Sequence, residues 1–148
     1  MASCVPNDQR CGPSEGVVTR VLDGDTIDLE SGERVRYLMV DTPEISHSAG
    51  EIAECFADEA KQFNTDLVAG QTVSLRYDTE CTDRFGRLLA YVFVGDREVN
   101  TLLVERGFAC VLHIPPNGVD RKDEFESLEN QAMQQNKGLW ESCETNPC

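Results

Sequence analysis

Val17-Val18-Thr19-Arg20-Val21-Leu22-Asp23-Gly24-Asp25-Thr26-Ile27-Asp28-Leu29, followed closely by Arg34-Val35-Arg36-Tyr37-Leu38-Met39-Val40, decides the fold of this chain. Val17 to Leu22 is rich in β-branched side chains, which are stiff at χ1 and pack well on a pleated surface. Asp23-Gly24-Asp25 reads as a turn or bulge, because short polar side chains and glycine accept the backbone angles a reversal needs. Thr26 to Leu29 alternates as a half-buried strand does, and Ser31-Gly32 makes a tight connection to the run from Arg34 to Val40. Strands joined by such short turns can only pair with their neighbours, so the segment predicts an antiparallel meander.

Working outward, residues 1–15 carry Pro, Gly, Asn and Cys without periodicity and read as an irregular leader. Residues 44–54 read as a loop. Phe56, Ala60, Phe63, Leu67 and Val68 recur at helical spacing, and Gly70 follows as a stop. Thr72 to Tyr77 alternates, a polar loop spans Cys81 to Gly86, and Leu88 to Val94 is apolar throughout, as a central strand requires. A short helix is expected from Val99 to Arg106, ended by Gly107. An extended piece from Ala109 to Ile114 follows, broken by Pro115-Pro116-Asn117-Gly118. A last helix runs from Asp120 to about Asn136, with Phe125, Leu128, Ala132 and Met133 on one face. The pattern is that of a small α+β domain: a five-stranded closed barrel of the OB type with about three helices, since closure removes the exposed edges of short antiparallel strands. The expected division is a leader at 1–15, one domain at 16–141 and a cysteine-containing tail at 142–148.

The chain has 148 residues, enough to bury roughly 70% of the surface its unfolded form exposes. Asp and Glu outnumber Lys and Arg by 27 to 13, for a formal net charge of −14. Long-range steering therefore repels polyanions, so any activity on them must rest on a local basic focus or on bound cations. The basic residues are ten Arg and three Lys. Seven cysteines without zinc-finger spacing, beside only two His residues, point to disulfides in an oxidising compartment. The candidates are Cys11, Cys55, Cys81, Cys110, Cys143 and Cys148. Met1-Ala2-Ser3 reads as an added start, which puts Cys4 where a bacterial lipoprotein carries its lipid; a paired or free terminal cysteine is the alternative. No apolar run is long enough for a membrane span. An extracytoplasmic monomer of bacterial or archaeal origin is the expectation.

Chemistry concentrates in three segments: Asp23-Gly24-Asp25-Thr26, Arg36 to Glu44, and Asp83-Arg84-Phe85-Gly86-Arg87. Asp25 and Asp41 lie near the ends of adjacent expected strands, where two carboxylates, a carbonyl and water make a hard-oxygen cation site suited to calcium or magnesium. Glu44, past Pro43, is placed to orient or deprotonate a water. Arg36 and Arg87 have the fork geometry for phosphate oxygens and for charge on a five-coordinate phosphorus. Arg36 sits within an apolar strand and needs a partner, for which Glu44 is the expectation. His113 is a candidate for stacking on a base or bonding a phosphate, with a structural histidine as the plainer reading.

With Lys137-Gly138-Leu139-Trp140 added, these segments make residues 16–140 resemble the thermonuclease family, the staphylococcal nuclease-like domains. The resemblance implies an OB-fold barrel and calcium-dependent hydrolysis of DNA and RNA at the P–O5′ bond, leaving 3′-phosphate ends. It implies calcium on Asp25, Asp41 and the Thr42 carbonyl, Glu44 as general base, and Arg36 and Arg87 on the phosphate. Asp83 falls where the family keeps an acid beside the Arg87 loop, in a supporting substrate-side role. The chain departs from the family in its acidity, its lysine-free 78–83 segment, and the residues His113-Ile114-Pro115 where stacking tyrosines are usual. A nucleic-acid- or protein-binding module without strong catalysis is the alternative.

Overall fold

The computed structural model describes residues 11–46, 50 and 52–148. Cys4 and His47 lie outside them. The elements are β1 (Glu15–Asp23), β2 (Thr26–Leu29), β3 (Arg34–Tyr37), β4 (Val40–Asp41), α1 (Ala57–Val68), β5 (Thr72–Arg76), β6 (Leu88–Val94) and β7 (Arg97–Glu98). They continue with α2 (Val99–Glu105), β8 (Cys110–Val111), a 3-10 turn (Val119–Arg121), α3 (Lys122–Gln134) and α4 (Leu139–Ser142). The main sheet runs β3-β2-β1-β5-β6-β7, and an additional β3–β6 pairing closes its first five strands into a barrel. That closing pair is parallel, with Val35 opposite Leu88 and Arg36 opposite Leu89. This is the expected OB-type α+β architecture.

Inward-facing side chains fill the barrel and the layer beneath the helices. Ile27, Val35, Tyr37, Val73, Leu75, Val92, Leu103 and Phe125 are all essentially inaccessible. On α1 the buried positions are Ala57, Ala60, Asn64 and Val68, a helical stripe laid against the barrel. Phe63 on the same helix stacks on Phe108 with ring centroids 4.3 Å apart. Gly107 has φ 78°, and a Cβ there would lie 2.2 Å from the Lys137 carbonyl oxygen. Glycine is thus required where the chain after α2 meets the chain after α3, and the Gly107 carbonyl accepts from Leu139 N–H at 2.8 Å.

Three features differ from the sequence reading. The strand expected over 34–40 is two strands. Met39 adopts φ 70°, β3 ends at Tyr37, and Val40–Asp41 leave the barrel to pair with β8, where Asp41 faces Cys110. Side-chain alternation through an apolar run cannot signal a non-glycine residue at positive φ. The break is held by buried Asn100, whose Nδ2 donates to the Leu38 and Ala90 carbonyls while its Oδ1 accepts from Val92 N–H. Second, Arg97–Glu98 adds a short edge strand and Leu139–Ser142 a fourth helix. Third, residues 11–15, read as leader, run against the barrel: Leu75 N–H donates to the Ser14 carbonyl and the Tyr77 hydroxyl to the Pro13 carbonyl at 2.6 Å.

Candidate active site

The β1–β2 turn places the first carboxylate. Asp25 N–H donates to Asp23 Oδ1 at 3.0 Å, an Asx-type bond that fixes the turn. Gly24 is needed because a Cβ there would lie within 2.8 Å of Thr42 side-chain atoms. The turn therefore presses on the chain after β4. Asp25 Oδ2 accepts from Thr42 N–H at 3.0 Å, and Oδ1 accepts from the Thr26 hydroxyl at 3.0 Å. Asn64 on α1 secures the outside of the turn, donating to the Asp23 carbonyl while accepting from the Tyr37 hydroxyl.

Arg36 joins the carboxylates. Its Nη2 lies 3.2 Å from Asp25 Oδ2 and 3.6 Å from Asp41 Oδ1. Its Nη1 donates to the Tyr37 and Val40 carbonyls, both at 2.7 Å. The kink at Met39 turns those two carbonyls toward one guanidinium, so the break between β3 and β4 is also what orients Arg36. Asp25 and Asp41 are thus the ion-pair partners of Arg36, where the sequence reading gave it Glu44. Glu44 follows Pro43 on an exposed loop whose backbone is pinned by Glu54: the Glu44 N–H donates to the Glu54 carboxylate, and the Glu54 N–H returns a bond to the Glu44 carbonyl. Glu54 ends a segment that the sequence reads only as a loop; the signal for its role is tertiary.

Electrostatics set the carboxylates apart. Burial pushes Asp25 up, but Arg36, with hydrogen bonds from its neighbours, outweighs it and holds the group below the usual carboxylate range. Burial and the charge of Asp25 raise Asp23 to about 7. Burial raises Asp41 to about 6, against the pull of Arg36 and with the help of Asp25, Glu44 and Glu54. Negative charge is crowded here beyond what one arginine neutralises.

Arg87 begins beyond Gly86, one residue before β6. Asp83 holds it: Oδ1 accepts from Phe85 N–H at 2.9 Å and Arg87 N–H at 3.0 Å, and Oδ2 accepts from Arg87 Nε at 2.7 Å. Asp83, expected on the substrate side, therefore spends its carboxylate on the turn and on Arg87. Phe85 is 68% exposed, with the guanidiniums of Arg84 and Arg87 4.8 and 5.4 Å from its ring centre. Arg36 and Arg87 line one cleft of about 470 Å³ together with Asp83, Leu89, Leu112 and Ile114. Leu112 and Ile114, and not His113 between them, form that wall. His113 Nε2 is buried and accepts or donates no hydrogen bond.

All six candidate cysteines pair, as Cys11–Cys81, Cys55–Cys143 and Cys110–Cys148. Each bridge abuts a site segment. Cys81 precedes Asp83 in the Arg87 loop, Cys55 follows Glu54, and Cys110 is the β-partner of Asp41.

A divalent cation suits the donors present. Asp25, Asp41 and the Thr42 carbonyl are hard oxygen ligands, the carboxylates carry uncompensated charge, and the buried Thr42 Oγ1 has no hydrogen-bond partner. Among the described residues no group of three or more His, Cys, Asp and Glu is arranged around one metal position.

Comparison with known proteins agrees with this fold. Residues 34–142 match the family described as "Staphylococcal nuclease homologue". The chain is 36% identical over 128 residues to a thermonuclease of Staphylococcus intermedius, covering 84% of this chain and 75% of that protein. It is 35% identical over 141 residues to an uncharacterized endonuclease of Escherichia coli O157:H7, covering 93% and 84%. It is 33% identical over 125 residues to endonuclease YncB of Bacillus subtilis, of whose length it spans 59%. By its barrel, its site segments and these similarities, the chain belongs to the staphylococcal nuclease family.

Proposed function

We propose that this member of a nuclease family is an extracytoplasmic, calcium-dependent enzyme that hydrolyses DNA and RNA with little sequence specificity, breaking the P–O5′ bond and leaving 3′-phosphate ends. The observation that carries the reading is the Arg36 guanidinium set between the Asp25 and Asp41 carboxylates at the edge of a cleft that Arg87 also lines. Asp25, Asp41 and the Thr42 carbonyl would hold the cation, which would supply Lewis-acid polarisation of the phosphate. Arg36 and Arg87 bind the remaining phosphate oxygens and stabilise the charge that gathers on them as phosphorus becomes five-coordinate. Glu44 orients the attacking water and accepts its proton. The disulfides support action outside the cytoplasm.

The −14 charge favours the alternative of a binding module with little catalysis. Against it, the six positions given roles in the sequence, Asp25, Arg36, Asp41, Thr42, Glu44 and Arg87, all carry chemically suitable residues. The test is cleavage of an end-labelled oligonucleotide, with product ends mapped by phosphatase and kinase treatment. The wild-type chain gives 3′-phosphate ends, and Arg87→Ala and Glu44→Ser lose about 100-fold or more in kcat. Full activity in either variant removes the role given to that residue, and 3′-hydroxyl ends overturn the cleavage chemistry.

A further inference from the structure

A second cleft, of about 750 Å³, opens on the other side of the Arg87 loop. It is lined by Thr19, Asp28, Gly32, Arg34, Phe85 and Arg87. Phe85 and Arg87 border both clefts, so the Arg87 loop is a ridge between them and the two grooves meet at Arg87.

The barrel wall leading into this cleft carries an ordered row of charges. Arg20 faces Asp28 across β1 and β2, and Asp28 faces Arg34 across β2 and β3. The row has two guanidiniums for one carboxylate. Arg34 and Arg36 are two residues apart on one strand, so both point to the outer face about 6.6 Å apart along it. That is comparable to the separation of successive phosphates in an extended polynucleotide. Asp28 occupies only part of Arg34: Nε donates to Oδ1 at 2.7 Å and Nη2 to Oδ2 at 3.1 Å. The two N–H groups of Nη1 remain available, and the side chain is 45% exposed. Asp28 thus fixes the guanidinium in the cleft without using up its donors.

We propose that this cleft is a binding subsite for the phosphodiester next to the one being cleaved, with Arg34 as its phosphate ligand and Phe85 as the surface on which the intervening base stacks. The subsite rests on the nuclease reading above and deepens it. It accounts for how a strongly acidic protein holds a polyanion: Arg34, Arg36 and Arg87 line the two adjoining clefts, a local row of guanidiniums that works against the net charge. Aromatic stacking next to a basic groove retains single strands without regard to sequence.

The experiment compares oligothymidylates of two, three and four nucleotides as substrates for the wild-type, Arg34→Gln and Asp28→Asn chains. The dinucleotide has only the cleaved phosphate; longer chains have a neighbour. Arg34→Gln is expected to leave dinucleotide kcat/KM unchanged and to remove roughly threefold of the gain from lengthening. Its salt dependence on the longer substrates should flatten by about 0.7 in log–log slope, one phosphate contact on a single strand. Asp28→Asn breaks the same ion pair yet should raise kcat/KM on longer chains, because it removes a negative charge from the subsite. If both variants instead fall together, or Arg34→Gln lowers dinucleotide and tetranucleotide cleavage alike, the Asp28–Arg34 pair is only a brace between strands and the subsite is refuted. A wild-type chain that cleaves none of the substrates refutes the nuclease reading itself, and this inference with it.

Discussion

Replacing Asp83 with Asn separates two things the structure fuses, the shape of the Arg87 loop and the direction of the Arg87 side chain. Asp83 Oδ1 accepts the Phe85 and Arg87 backbone N–H groups, whereas Oδ2 accepts only from Arg87 Nε. An asparagine oriented by the two backbone donors keeps its oxygen on them and turns its NH₂ toward Arg87 Nε, donor against donor. The turn survives, and the stability cost should stay below about 1 kcal/mol because the lost ion pair is partly exposed. Arg87, no longer tethered, regains rotamer freedom. Re-ordering an arginine costs up to about 1.5–2 kcal/mol, partly offset by its contact with the Phe85 ring, so kcat should fall about tenfold with KM little changed. Asp83→Ala loses all three bonds and should cost about 2 kcal/mol of stability as well. The assay is steady-state cleavage of a short oligonucleotide beside urea melts of both variants. An Asp83→Asn chain with wild-type kcat would refute the positioning of Arg87 by Asp83.

The same site makes stability and cation binding depend on pH. Asp23 and Asp41 keep their protons to about 7 and about 6 when folded, against 3.8 as the ordinary value. The folded chain therefore binds more protons between these limits, and without a cation its stability should fall as pH rises from about 4 to about 7. Asp25, Asp28, Asp78 and Asp83, all lowered, contribute stability present above 3.8 and lost as pH falls below it. On the proposed reading calcium would bind the deprotonated carboxylates, so it should raise the melting temperature more at pH 8 than at pH 5; an equal or larger shift at pH 5 would contradict the cation site. Removing the Cys55–Cys143 or Cys11–Cys81 bridge by paired Cys→Ser changes, each closing a long loop, should cost about 3–5 kcal/mol in denaturant melts. Only the second should also lower kcat through the Arg87 loop in chains that remain folded. Asn100→Ala should cost about 3 kcal/mol in the same melts, because it leaves Val92 N–H and the Leu38 carbonyl without their buried partner.

Much of the fold was legible because its signals are local. Alternation in Thr26–Leu29 and Thr72–Tyr77, the apolar run at Leu88–Val94, and glycines 70, 107 and 138 mark elements by rules that need no tertiary context. Met39 is where such rules fail. Its positive φ is held by Asn100 and by the pairing of Val40–Asp41 with β8, contacts that exist only once the chain has folded. The candidate site was legible as a set of residue types, since Asp25, Asp41, Arg36 and Arg87 sit in compact, unusual contexts. Their partners were not. Asn64 and Asn100 drew no reading from the sequence, yet an amide on the helix face of Ala60 and Val68, or of Leu103 and Val104, is the kind of signal that marks a buried backbone clamp. Disulfide pairing was open for the same reason, because six cysteines allow 15 connectivities and only the folded barrel selects one. His113 drew notice because it falls where stacking tyrosines are usual, while the cleft wall is made by its apolar neighbours.

The central claim is that Asp25, Asp41 and Thr42 hold a cation against a phosphate gripped by Arg36 and Arg87. Its most direct test is to incubate the wild-type chain with plasmid and with single-stranded DNA, in calcium or in a calcium chelator, across a range of salt. The account predicts loss of both substrates in calcium and none in chelator. Undiminished cleavage in chelator, equal turnover with magnesium alone, or no cleavage at any salt concentration would contradict it.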